Sequence, residues 1–310
     1  MTDREIDSVL TPDERATFLL RKIYAGAGYS RYRMSKFEEY DLYMRNKDFL
    51  VSDGIITFTD TDGRLLALKP DVTLSIIKNS RPEDGVRKLF YDEKVYRVSG
   101  STKSFREIMQ VGLECIGEVG AAEIREVLSL AKESLEALSP EYVLEIAELD
   151  IASAVLDHYG LADAQRAAIT EELSRKNAGG VLDVCRAAGL SDEACKSVAL
   201  LVDAYGKPER VLRMLDGLKL DERCEAAIDA LSEAVSGLSG NLTVDLSLTA
   251  NTKYYNGVAF VGFIRGVPTA ILRGGQYDKL AEWVSGRREG AIGFAIYLDE
   301  LEKLSREANV

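Results

Sequence analysis

Arg87-Lys88-Leu89-Phe90-Tyr91-Asp92-Glu93-Lys94-Val95-Tyr96-Arg97, a polar tip Ser99-Gly100-Ser101-Thr102-Lys103, then Phe105-Arg106-Glu107-Ile108-Met109-Gln110-Val111-Gly112-Leu113-Glu114: the fold turns on this stretch. β-rich runs are expected from Lys88 to Val98 and from Ile108 to Ile116, on either side of the tip. Upstream, Ile55 to Thr59 and Leu65 to Leu68 flank Asp62-Gly63, a strong hairpin-turn signal. Thr11-Pro12-Asp13-Glu14 supplies a cap, an N1 proline and early acids for a helix carrying Phe18, Leu19, Ile23 and Tyr24. Gly26 and Gly28 break it. A further helix is expected over Ala121 to Leu138 and a strand over Tyr142 to Ile146.

From about Ile151 to Leu238 the text is Ala/Leu/Glu-rich with helical period and no convincing strand. Strands return at Leu242 to Leu248, Tyr255 to Ile264 and Thr269 to Leu272. This order predicts an α+β fold: one domain over residues 1–310, with an antiparallel sheet of six or seven strands flanked by helices and a helical insert over 151–238.

The 310 residues hold 39 Lys plus Arg against 51 acids, a net charge of −12, which disfavours extended contact with tRNA. No apolar run reaches membrane-spanning length and the start lacks a signal-peptide shape. Cys115, Cys185, Cys195 and Cys224 are scattered with no CxxC pair, which favours free thiols in a reducing, cytoplasmic compartment over a disulfide frame or metal site.

Generic catalytic signals are few. The single histidine, His158, ends an expected helix and reads as a dipole-satisfying cap. No P-loop or GxGxxG follows a strand, and Arg273-Gly274-Gly275 alone is a weak glycine turn. The opening stretch, however, resembles motif 2 of a class II aminoacyl-tRNA synthetase. Leu68-Lys69-Pro70-Asp71-Val72-Thr73 resembles the amino-acid-binding segment of histidyl-tRNA synthetase. Tyr254-Tyr255-Asn256-Gly257 and Arg273-Gly274-Gly275-Gln276-Tyr277-Asp278 resemble its two histidine-specific motifs, and Gly293-Phe294-Ala295 the approach to motif 3. The matches fall in the right order from about residue 10 to 305, apart from the helical stretch.

The resemblance implies a class II synthetase fold and a pocket for histidine. Asp71, where the family usually has Glu, and Glu114 would face the ammonium and imidazole groups. Thr73 and Gln110 would add hydrogen bonds, Arg97 would face the carboxylate, and Tyr254, Tyr255 and Tyr277 would wall the ring. A blander reading makes the tyrosines half-buried strand residues and Glu114–Arg97 a structural ion pair. The ATP half departs from the family. Ala250 replaces an arginine, Ser99 replaces the acid after the motif 2 arginine, and Asp299-Glu300 stands where motif 3 has Glu-Arg. A unit-charge pair at about 4 Å is worth about 4 kcal/mol at an effective dielectric near 20, so an acid for an arginine swings the site by roughly twice that.

That profile resembles the regulatory subunits of short-form ATP phosphoribosyltransferase. It implies no catalytic residues, no cofactor, no metal, no tRNA and no membrane. The implied partners are the short catalytic subunit, histidine as ligand, and a second copy in a homodimer within a hetero-oligomer. The dimer surface is expected around Tyr32 to Tyr43, with Ser35 in place of the motif 1 proline. The chain ends at Val310, which is expected to leave out an anticodon-binding domain. The competing readings are an amino-acid-activating transferase with a non-tRNA acceptor, and a histidine-sensing module for another partner.

Overall fold

A computed structural model describes residues 9–46, 54–79, 85–99, 102–248 and 254–301. Helix α1 (Pro12–Gly26) opens with the anticipated cap, which is a reciprocal capping box: Glu14 N donates to Thr11 Oγ1 and the Glu14 carboxylate accepts from Thr11 N. β1 (Ser30–Arg31), β2 (Phe37–Glu39), α2 (Tyr40–Arg45), β3 (Thr57–Thr59), β4 (Leu65–Leu68) and α3 (Thr73–Asn79) precede the long pair β5 (Arg87–Val98) and β6 (Phe105–Gly117). Then come α4 (Ala121–Leu138), β7 (Tyr142–Glu148) and the helices α5 (Leu149–His158), α6 (Asp163–Ser174), α7 (Ala178–Ala187) and α8 (Asp192–Asp203). β8 (Tyr205–Gly206), α9 (Pro208–Leu215) and α10 (Glu222–Val235) follow, and β9 (Leu242–Asp245), β10 (Asn256–Ile264), β11 (Leu272–Gln276), α11 (Asp278–Ser285) and β12 (Gly290–Tyr297) close the described chain.

Strands order as β1-β5-β6-β12-β11-β10-β7-β9-β8. The six from β5 to β7 are antiparallel throughout. Among the described residues the sheet has nine strands rather than six or seven because short edges extend it, with β1 and β9 pairing parallel to β5 and β7. β8 arises inside the stretch read as helical: α8 ends at Asp203, and the next residues pair with β9. β11 begins where the predicted strand ended, and runs through Gly274 and Gly275. A Cβ at Gly274 would meet the Phe260 ring and the Phe294 side chain, so close packing, not a turn, requires glycine there. The Asp62-Gly63 turn joins β3 and β4 as expected, with Gly63 at φ +80, but in a separate three-stranded sheet, β2-β4-β3.

Alternation along the strands sorts side chains to two faces. Val111, Leu113 and Cys115 of β6 face one core with Ile292, Phe294 and Ile296 of β12, covered by α1, α4, α5 and α10. Ile108 and Ile116 face the opposite core, with Tyr91, Val95, residues of α3 and α11, and the small sheet. Buried Asp92 ties α1 and β1 to β5 by accepting from Arg21 and, at 2.7 Å, from Arg31. All four cysteines are free and buried. His158, the last residue of α5, pairs through Nδ1 with Asp221 Oδ2 at 2.7 Å, at the α10 N-cap. No described helix is long and apolar enough to cross a membrane, and no described group of three or more His, Cys, Asp or Glu is placed to hold a metal.

Candidate functional site

On the second face the sheet forms the floor of a cavity of about 380 Å³, within the usual range of small-ligand pockets, about 300–1,000 Å³. All eight residues singled out from sequence line it: Asp71, Thr73, Arg97, Gln110, Glu114, Tyr254, Tyr255 and Tyr277. Period two explains much of this convergence. Gln110 and Glu114 lie four apart on β6 and project to one side, as does Arg97 from β5.

Gly293, Ala295 and Ala259 give the floor its concavity. A Cβ on Gly293 would overlap the Glu114 carboxylate and the Leu113 carbonyl. Because one obstacle is backbone, Gly293→Ala is expected to lower stability by about 1–3 kcal/mol, read from urea unfolding midpoints at unchanged slope.

The tyrosine wall depends on a local irregularity. Gly257 sits at φ +63, and the β10–β11 register shifts between Asn256 and Ala259. Gln276 Oε1 holds the bulge by accepting from Val258 N at 2.9 Å. Tyr254 then stacks edge-on to Tyr255, with ring centroids 4.7 Å apart, and lies 6.0 Å from the Tyr277 ring.

Glu114 is buried and accepts from Thr73 Oγ1 at 2.6 Å and from Tyr277 OH at 2.5 Å. Burial nevertheless raises its pKa to about 8, with nearby Asp71 adding to the rise. Asp71 accepts from Leu74 N at 2.9 Å, and its pKa is also raised by burial, partly offset by that bond and by the Arg97 charge. Arg97 does not pair with Glu114: its Nε donates to the Pro70 carbonyl at 2.9 Å. That corrects the ion-pair reading. Tyr254 and Tyr277 are buried rather than half-buried, and burial pushes their hydroxyls well above the usual range.

The sequence reading passed over three further liners, Tyr91, Arg273 and Tyr297. Their signal was the same alternation, since Tyr91 is six residues before Arg97 on β5 and Arg273 four before Tyr277. Arg106 was also passed over. At 3.1 Å it pairs with Asp299, just after β12, while Glu300 Oε2 accepts from Thr269 Oγ1 at 3.1 Å. Ala250 lies outside the described residues.

Two acids, a buried arginine and three tyrosines on an antiparallel sheet with flanking helices define a class II aminoacyl-tRNA synthetase-like protein. The histidyl-tRNA synthetase profile matches residues 12–301, and the chain belongs to that family. It is similar to the ATP phosphoribosyltransferase regulatory subunit of Oceanobacillus iheyensis, 25% identical over 283 residues covering 88% of this chain and 69% of that one. An ATP phosphoribosyltransferase regulatory subunit/histidyl-tRNA synthetase from Bacillus halodurans superposes with a TM-score of 0.81 at 23% identity, covering 94% of this chain and 79% of that one. A chain of the ATP phosphoribosyl transferase (HisG:HisZ) complex from Thermotoga maritima superposes with a TM-score of 0.72 at 19% identity, covering 92% and 97%.

Proposed function

We propose that this chain is the regulatory subunit of an ATP phosphoribosyltransferase: it holds free histidine in the cavity, assembles with the short catalytic subunit in the cytoplasm, and performs no chemistry itself. The observation that carries this is an asymmetry. The amino-acid cavity keeps its acids, Arg97 and its tyrosine wall, whereas acids occupy the motif 3 positions and one of them engages Arg106. An arginine held by Asp299, with Glu300 beside it, presents a poor surface to a nucleotide triphosphate. The names of the relatives support the same role.

In this reading histidine lies with its carboxylate toward Arg97 and its ammonium and imidazole toward Asp71 and Glu114. Thr73 and Gln110 supply further hydrogen bonds, and the three tyrosines flank the ring. Feedback then requires that histidine bind two states of the assembly with different affinity. A homodimer through residues 32–43 fits the exposed Phe37 of that segment.

Mixing the chain with a short ATP phosphoribosyltransferase is expected to raise its activity, and histidine to lower it again. No change on mixing would remove the regulatory role. Histidine-dependent ATP–pyrophosphate exchange by the pure chain is expected to be absent. Its presence would favour the rival reading, an amino-acid-activating transferase.

A further inference from the structure

Behind Tyr255 and Leu248, which line both spaces, lies a second cavity of about 240 Å³ between the sheet, α5 and α6. Leu156, Leu173, Leu246 and Leu248 give it an apolar wall. Glu148, the last residue of β7, lines it and is only 3% exposed. One hydrogen bond reaches that carboxyl, from Asp150 N to Oε1 at 3.3 Å, and no basic side chain pairs with it among the described residues. A buried carboxyl in this condition is costly as an ion, and its pKa is raised to about 8.

The other charged liners do not satisfy it. Asp150 is exposed and adds negative charge, Arg166 is engaged by Asp157 and by Ser153 at 3.2 Å, and Lys279 is exposed. Two carboxylates make a poor cage for a divalent cation, which calls for six or more oxygens. A single positive charge on an apolar body matches the leucines and the acid together.

We propose that this second cavity binds a small aliphatic ammonium, with Glu148 as its counter-ion, as a site separate from the amino-acid cavity across Tyr255. The competing explanation is that Glu148 serves only as the N-cap of α5, accepting from Asp150 N. Glu148→Gln separates the two, because an amide oxygen keeps the cap but loses the charge.

The test uses the full chain at pH 7 with n-butylammonium chloride, compared with sodium chloride at equal ionic strength. Saturable thermal stabilisation is expected for the wild type and for Glu114→Gln, which removes one of the first cavity's two acids. In Glu148→Gln the apparent affinity is expected to fall at least about tenfold, the size of a lost charge-assisted hydrogen bond. Calorimetry of Glu114→Gln in buffers of different ionisation heat is expected to show proton release on binding, as the neutral Glu148 acid becomes the counter-ion. Stabilisation that survives unchanged in Glu148→Gln, disappears only in Glu114→Gln, or is absent from the wild type would each overturn the site. Should Glu148→Gln fail to fold, Thr170→Trp, which fills the cavity from α6, takes its place, and stabilisation unchanged in that variant overturns the site equally.

Discussion

At pH 9, Glu114→Gln is expected to be more stable than the wild type and to have lost most of its affinity for histidine. The folded protein holds the Glu114 proton to about pH 8, against 4.5 for the ordinary carboxyl. Between those values the folded state binds a proton that the unfolded chain has released. Stability is therefore full below about 4.5 and falls as pH rises through the folded pKa, by on the order of 5 kcal/mol. Glu148, also raised to about 8, adds a second loss of the same sign over the same window. Glutamine at 114 removes the ionisation, and the hydroxyls of Thr73 and Tyr277 can reorient toward an amide at a cost of about 1 kcal/mol. Urea midpoints at pH 6 and pH 9 should thus converge in the variant, and more fully in the Glu114→Gln/Glu148→Gln double variant. A wild-type midpoint unchanged between the two pH values would contradict the assignment. The same substitution takes away the anion offered to the ligand, worth about 1.5–3 kcal/mol, so histidine affinity should drop roughly 10- to 150-fold. The acid that serves binding is one the fold holds at a cost.

The extent to which this site could be read from sequence follows from how its residues are placed. Glu114, Gln110 and Arg97 sit on long strands whose alternation survives in the text, so the sheet delivers them to one face. Tyr277 and the Tyr254-Tyr255 pair sit at strand ends, where the order of motifs rather than periodicity marked them. Partner choice was less legible. Arg97 and Glu114 looked like an ion pair across neighbouring strands, but Arg97 turns to the Pro70 carbonyl while Glu114 takes two hydroxyls. β11 was placed too early because two glycines suggest a turn, whereas the Phe260 and Phe294 side chains explain Gly274, and the Tyr255 ring with the Val258 carbonyl explains Gly275. The second cavity left no motif. Its acid stands alone at a strand end, and its leucines come from two helices and the segment around β9.

Arg97→Met is expected to erase the preference of the first cavity for histidine over histamine. The two ligands share the imidazole and the ammonium, and differ in the carboxylate that the proposed arrangement gives to Arg97. Arg97 is 9% exposed, and its stem is fixed by the Nε bond to Pro70, so its remaining guanidinium donors are held rather than free to search. A charge-assisted bond from such a group is worth about 1.5–3 kcal/mol. Histidine affinity should therefore fall roughly 10- to 150-fold while histamine affinity changes by no more than a few-fold. Methionine keeps the length and apolar bulk of the stem, which limits collapse of the wall between β5 and Asp71. A second consequence falls on both ligands: the Arg97 charge favours the ionised form of Asp71, so its removal should make Asp71 harder to ionise and weaken both slightly more at low pH. Calorimetric titration of both compounds against both proteins at pH 7.5 gives the full thermodynamic cycle. A coupling near zero, with histidine and histamine weakened alike, would place the carboxylate elsewhere in the cavity, with Arg273 the remaining cation among its described liners.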